Sequence, residues 1–118
     1  MPATPFSATA RREGEVNIID LAGDIDREAQ PALDAAYAEA QGHGPVILNF
    51  ERTSYINSTG IAVIVGLLAR ARSERRELKA FGLTPHYREI FQITRLADFM
   101  TIFDNEPAAM AAQGREGN

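Results

Sequence analysis

The chain has no cysteine and only two histidines, His43 and His86. The first absence excludes disulfides, thiolate metal sites and a cysteine nucleophile. The second leaves little for general-base chemistry. His43 lies in the turn sequence Gln41-Gly42-His43-Gly44-Pro45, and His86 follows Pro85 at a predicted helix start. Neither has a nucleophile or second ligand close in sequence, so both read as solvent-facing polar residues. Long apolar runs are also missing. The longest, Ile61 to Ala69, is half the roughly 18 residues of a membrane span and contains Gly66. The start, Met1-Pro2-Ala3-Thr4-Pro5, lacks the basic stretch and apolar block of a signal peptide. A cytoplasmic location without a membrane span is therefore expected. The chain lacks a Gly-rich phosphate loop followed by Lys, a histidine pair at metal spacing and a Gly-x-Ser-x-Gly elbow. No catalytic residue, metal or cofactor is expected. Asp20, Asp24 and Asp26 cluster but do not follow a calcium-loop pattern, and capping or turn roles suit them better.

What is present is a chain of 118 residues, 45% hydrophobic and 24% charged, a balance that suits one soluble domain with one core. The ordered core is expected over about 6–112, with residues 1–5 and 113–118 loose. The net charge of −4 gives a nucleic-acid partner no support.

Residues Phe6 to Arg11 suit an edge strand, and Arg12-Glu13-Gly14-Glu15 a hairpin turn. Val16 to Leu21 is β-branched and short, a second strand that Ala22-Gly23-Asp24 is expected to end. From Arg27 to Gln41, Ala29, Leu33, Ala36, Tyr37 and Ala40 recur at helical spacing, with Asp26 as N-cap and Pro31 near the first turn. Pro45 to Phe50 is an apolar run typical of a strand buried on both faces. Glu51 to Asn57 reads as a loop. The run from Ile61 fits strand or helix by periodicity, and its continuation through Arg75 decides for a central helix. Leu78 to Gly82 predicts a strand. Thr84 as N-cap and Pro85 at the first position open a helix with Ile90, Phe91, Ile93 and Thr94 inward. Phe99 to Phe103 predicts a fifth strand, and Asp104 or Asn105 caps a last helix over Glu106 to Ala112. Alternating strands and helices predict an α/β fold, a single domain.

Tyr55-Ile56-Asn57-Ser58-Thr59-Gly60 stands between the buried strand and the apolar helix. Helix-start amides point outward with partial positive charge. A serine there has two readings. It can cap the helix, which sequence physics alone favours. It can also accept a phosphate, adding about −1.5 to −2 charges that the helix start tolerates and a docked partner does not.

These segments resemble the STAS domains (sulphate transporter and anti-sigma factor antagonist). Val46 to Phe50 followed by Asn57-Ser58-Thr59-Gly60 and Ile61 to Ile64 is similar to the family's apolar strand, Asp-Ser-Ser/Thr-Gly and apolar helix. Leu21-Ala22-Gly23-Asp24-Ile25-Asp26 is similar to its entry to the first helix. Leu83 to Leu96 resembles a later helix, with Arg95 where Gly is common. The resemblance implies a mixed sheet of about five strands flanked by about four helices. It implies an anti-sigma factor antagonist that binds an anti-sigma factor/serine kinase and is released when Ser58 is phosphorylated. A serine phosphatase resets it. Asp24, Asp26, Tyr55, Asn57, Ser58, Thr59, Gly60 and Ile61 form the implied partner-binding set, on a monomer or weak homodimer. Asn57 departs from the family's common Asp and removes a negative charge beside the acceptor. Two other readings compete: a non-switching scaffold subunit of a stress-signalling or lipid-transport complex, with Ser58 only a cap, and an enzyme, which no placed carboxylate pair supports.

Overall fold

In the computed structural model, residues 4–113 are described, apart from Gln41 and His43. The expectations for His43, for residues 1–3 and for residues 114–118 lie outside the described residues. Strands β1 (Ser7–Glu13), β2 (Val16–Ile25), β3 (Val46–Ile56), β4 (Leu78–Phe81) and β5 (Thr101–Phe103) form one sheet in that spatial order. The β1–β2 hairpin is antiparallel and the other pairings are parallel, so the sheet is mixed. Helices α1 (Gln30–Glu39), α2 (Ser58–Ser73), α3 (Pro85–Ile93) and α4 (Glu106–Gln113) make the crossovers and the tail.

Side chains alternate across the sheet. Ile19, Leu21, Leu48, Phe50 and Ala80 face Leu33 and Tyr37 of α1, Ile64 and Leu67 of α2, and Phe91 of α3. Ile18, Ile47 and Phe81 face the other way, against Ala109 of α4. Three helices therefore cover one face, and the short α4 covers part of the other. Away from α4 that second face is polar. Arg11 bridges Asp20 and Glu106, each at 2.7 Å, and so fastens α4 to the hairpin.

Five expectations need correction. Strand β2 does not end at Leu21. It continues through Gly23, whose φ of +91° lies within an irregularity of the β2–β3 register. Only glycine fits there, because a Cβ would meet the Pro5 carbonyl oxygen at 2.1 Å. Glu51 to Ile56 is not a loop but the second half of β3, pairing with the extended β2 up to Ile25 and Ile56. Its side chains are mostly exposed, so the strand is held by backbone pairing and its apolar pattern is lost. The first helix begins as a 3₁₀ turn, Arg27–Ala29, capped by Asp26, whose Oδ1 accepts from the Glu28 amide at 2.8 Å; α1 proper follows. On α3, Phe91 is buried as expected, but Ile93 is 71% exposed and Thr94 is also outside. Strand β5 is shorter than predicted, since Phe99 follows a 3₁₀ turn, Leu96–Asp98, rather than extending the strand. The last helix is capped by Asn105, which accepts from the Ala108 amide at 2.9 Å, while Asp104 pairs with Arg88.

Candidate functional site

The site is the corner where β3 turns into α2. Asn57, extended at φ −92° and ψ −177°, is the N-cap. Its Oδ1 accepts two hydrogen bonds, from the Gly60 amide at 2.8 Å and from Thr59 Oγ1 at 2.7 Å. Its own amide donates to the Ile25 carbonyl at 3.2 Å, and its carbonyl accepts from the Ile61 amide at 2.9 Å. Thr59 Oγ1 in turn accepts from the Arg27 amide at 3.1 Å. Asn57 and Thr59 thus tie together the end of β2, the entry to α1 and the first turn of α2.

Ser58 is therefore not the cap. It occupies the first helical position, is exposed, and its hydroxyl makes no hydrogen bond among the described residues. Because Asn57 is already the cap, the Ser58 oxygen points into solvent beside first-turn amides that the helical ladder does not use. Asn57 caps through an oxygen that aspartate also has, so the departure from Asp leaves the corner's geometry intact.

The rest of the implied partner-binding set divides in two. Tyr55 is 56% exposed, and Thr59 is exposed although its hydroxyl is engaged. Asp26, half-buried, caps the neighbouring 3₁₀ turn. Asp24 pairs in register with Tyr55, and its carboxylate accepts from the Thr4 amide at 3.1 Å. Ile61 packs partly against the core. Gly60 is buried: a Cβ there would lie 2.0 Å from the Ile25 carbonyl oxygen, so its part is to let β2 and α2 touch.

The sequence reading missed Arg27, whose backbone amide locks Thr59, because a main-chain donor leaves no residue-type signal. It also missed an apolar dimple of about 170 Å³ on the outer face of α2, lined by Val65, Leu68, Ala69, Arg72 and Phe99. The cleft of about 510 Å³ on the polar sheet face, lined by Arg11, Asp20, Asn49, Arg52 and Glu106 among others, is remote from Ser58. Its charges are largely satisfied internally: Arg11 pairs with Asp20 and Glu106, and Asn49 Nδ2 donates to Asp20 at 2.8 Å. Among the described residues no group of three or more His, Cys, Asp or Glu could hold a metal ion. No helix among them is long and apolar enough to cross a membrane.

The sheet, its helices and this corner define an α/β domain that presents a capped helix start with an unused hydroxyl. A family model described as "Mlab, STAS domain" matches residues 8–102, and the chain belongs to the STAS domain family. The Anti-sigma-B factor antagonist of Listeria monocytogenes is 34% identical over 95 residues, covering 77% of this chain and 83% of that protein. An anti-sigma factor antagonist from Mycobacterium paratuberculosis has the same fold. Its TM-score is 0.76 at 15% identity, with 92% of this chain and 93% of that one covered. The Bacillus cell fate determinant SpoIIAA in its phosphorylated form superposes with a TM-score of 0.62 at 22% identity, over 92% of this chain and 99% of that one.

Proposed function

We propose that this chain is an anti-sigma factor antagonist that binds an anti-sigma factor with serine kinase activity and is released when Ser58 is phosphorylated. The observation that carries the reading is the Ser58 hydroxyl, exposed and unbonded at the first position of α2 while Asn57 does the capping. A phosphate there adds about −1.5 to −2 charges at pH 7. The helix dipole and the spare first-turn amides accommodate that charge, so the domain stays folded. A partner seated on Tyr55, Ser58 and Thr59 meets the same charge as repulsion and bulk. The antagonist name of the curated relatives favours this switch over a constitutive scaffold. The role is one of binding, without turnover. A serine phosphatase resets the chain, which works in the cytoplasm as a monomer or weak homodimer.

The test uses the anti-sigma factor kinase that co-purifies with the tagged full chain, identified by mass spectrometry and then produced pure. With ATP it adds one phosphate to wild type and none to Ser58→Ala. Ser58→Asp binds it more weakly by titration calorimetry. Equal phosphorylation of Ser58→Ala, or unchanged affinity of Ser58→Asp, refutes the assignment.

A further inference from the structure

Helix α2 carries a second exposed feature on the same side as Ser58. Ser58, Ala62, Val65, Ala69 and Arg72 follow the 4-3-4-3 spacing of one helical face, and all five are exposed. The opposite face holds the core residues Ile64, Leu67 and Ala71. At the far end of the outer stripe, Phe99 packs over the helix. Val65 and Phe99 are 46% and 50% exposed and line one dimple together with the buried Leu68. The Arg72 guanidinium lies over the Phe99 ring at 4.7 Å. Its N–H donors make no side-chain hydrogen bond among the described residues and are free for a partner. Arg72 has no carboxylate partner among the described residues, whereas Arg70, Arg88 and Arg95 each have one.

We infer that this dimple is a second anchor point for the same anti-sigma factor: it takes one apolar side chain of the partner, with a neighbouring partner carboxylate on Arg72. The inference rests on the antagonist reading and extends its footprint. The charge argument is local, because an unpaired cation beside an apolar socket is complementary to an apolar residue next to Asp or Glu. The size argument agrees. A specific interface covers roughly 800 Å² on each partner, a patch about 30 Å across. At 1.5 Å per residue, Val65 to Arg72 lie about 10–21 Å along α2 from Ser58. One partner whose patch is centred between the switch hydroxyl and Arg72 therefore covers both, which fixes its direction along the helix. Arginine is also among the residue types in which binding energy concentrates once an interface covers them.

The test uses the purified kinase defined above, with circular dichroism and melting curves to confirm that each variant is folded. Phe99→Ala and Arg72→Glu each weaken kinase binding about tenfold or more, and Ser58 remains unmodified in both. Val65→Asp gives the same loss from the other wall without touching Phe99. Replacing one acidic residue of the kinase by Lys restores binding to Arg72→Glu and not to Phe99→Ala. If the socket variants bind like wild type while Ser58→Asp is weakened, the socket is wrong and the antagonist reading stands. If no kinase is captured, or Ser58→Asp binds like wild type, the antagonist reading fails and takes the socket with it. If sedimentation velocity shows a wild-type dimer that Phe99→Ala abolishes while kinase binding is unchanged, the socket belongs to a second copy of the chain and the inference is overturned.

Discussion

Replacing Gly60 by alanine tests whether the contact between β2 and α2 builds the switch corner. The new Cβ would lie 2.0 Å from the Ile25 carbonyl oxygen and 2.7 Å from its carbon. Both are main-chain atoms in the sheet, so no side chain can swing aside. Reaching an ordinary C···O separation of about 3.3 Å requires the helix start to retreat by more than an ångström. The Asn57 amide, now 3.2 Å from that same oxygen, then loses its acceptor. One buried backbone hydrogen bond contributes about 1 kcal/mol, and overpacking costs about 1–3 kcal/mol, giving a loss of about 2–4 kcal/mol. For a domain of this length that lowers the melting temperature by about 8–16 °C. Gly66, in the same helix, is the control. A Cβ there meets nothing within 4 Å, and Gly66→Ala should stabilise by up to about 1 kcal/mol because glycine is a poor helix former. Urea unfolding followed by far-ultraviolet circular dichroism measures both. A Gly60→Ala protein within 1 kcal/mol of wild type, or an equal loss in Gly66→Ala, would refute the contact as the reason for glycine.

Two further substitutions separate cap from switch. Asn57→Ala removes the acceptor of two hydrogen bonds and should cost about 1–2 kcal/mol, whereas Ser58→Ala should stay within about 0.5 kcal/mol of wild type; the reverse order in urea titrations would make Ser58 the cap. A pH series addresses the fastener of α4. Burial alone would raise the Asp20 carboxyl, but hydrogen bonds from Arg11 and Asn49 outweigh it and hold its pKa below the usual carboxylate value. A depressed folded-state pKa contributes stability that is complete above the unfolded value of about 3.9 and is lost as pH falls through the folded one. Wild type should therefore exceed Asp20→Asn in unfolding midpoint at neutral pH, and the gap should shrink on acidification below that value. A gap that is constant down to pH 2.5 would show that the ion pair is not its source.

The parts of this fold legible in the sequence were those whose side-chain pattern matches their burial. Val46 to Phe50 reads as a buried strand because both faces of β3 are covered there. The run from Ile61 reads as a helix because it continues through Arg75 and because Ile64 and Leu68 share the inner side, whereas Val65, placed on that face by its spacing, is 46% exposed. What stayed hidden was held by main chain rather than side chain. The second half of β3 shows Glu51, Arg52, Ser54 and Tyr55 to solvent, so nothing in its pattern distinguishes a strand from a loop. Gly23 looked like a stop because a glycine at a strand end and a glycine within an irregularity carry the same letter. Arg95 shows the opposite case. The family resemblance marked it as a departure from Gly, and the structure supplies the reason in a left-handed φ of +69°. The candidate serine was found from its neighbours in sequence, but its freedom was not. Asn57 and Ser58 are both good caps, and it is the Asn57 oxygen that faces the Gly60 amide in the folded chain.

That assignment matters for the kind of regulation the corner can support. If the capping oxygen belonged to Ser58, esterifying it would compete with the bond that holds the first turn, and modification would act on stability as much as on binding. With Asn57 holding Gly60 and Thr59, and Thr59 holding Arg27, the three-element junction is complete before Ser58 contributes anything. A charge added at Ser58 then changes the surface potential and shape while leaving the junction's hydrogen bonds in place. Asparagine serves this arrangement as well as aspartate, since the cap needs an acceptor oxygen and not a charge. It also leaves no fixed negative charge next to the proposed phosphate, so the first-turn amides have one anion to accommodate instead of two.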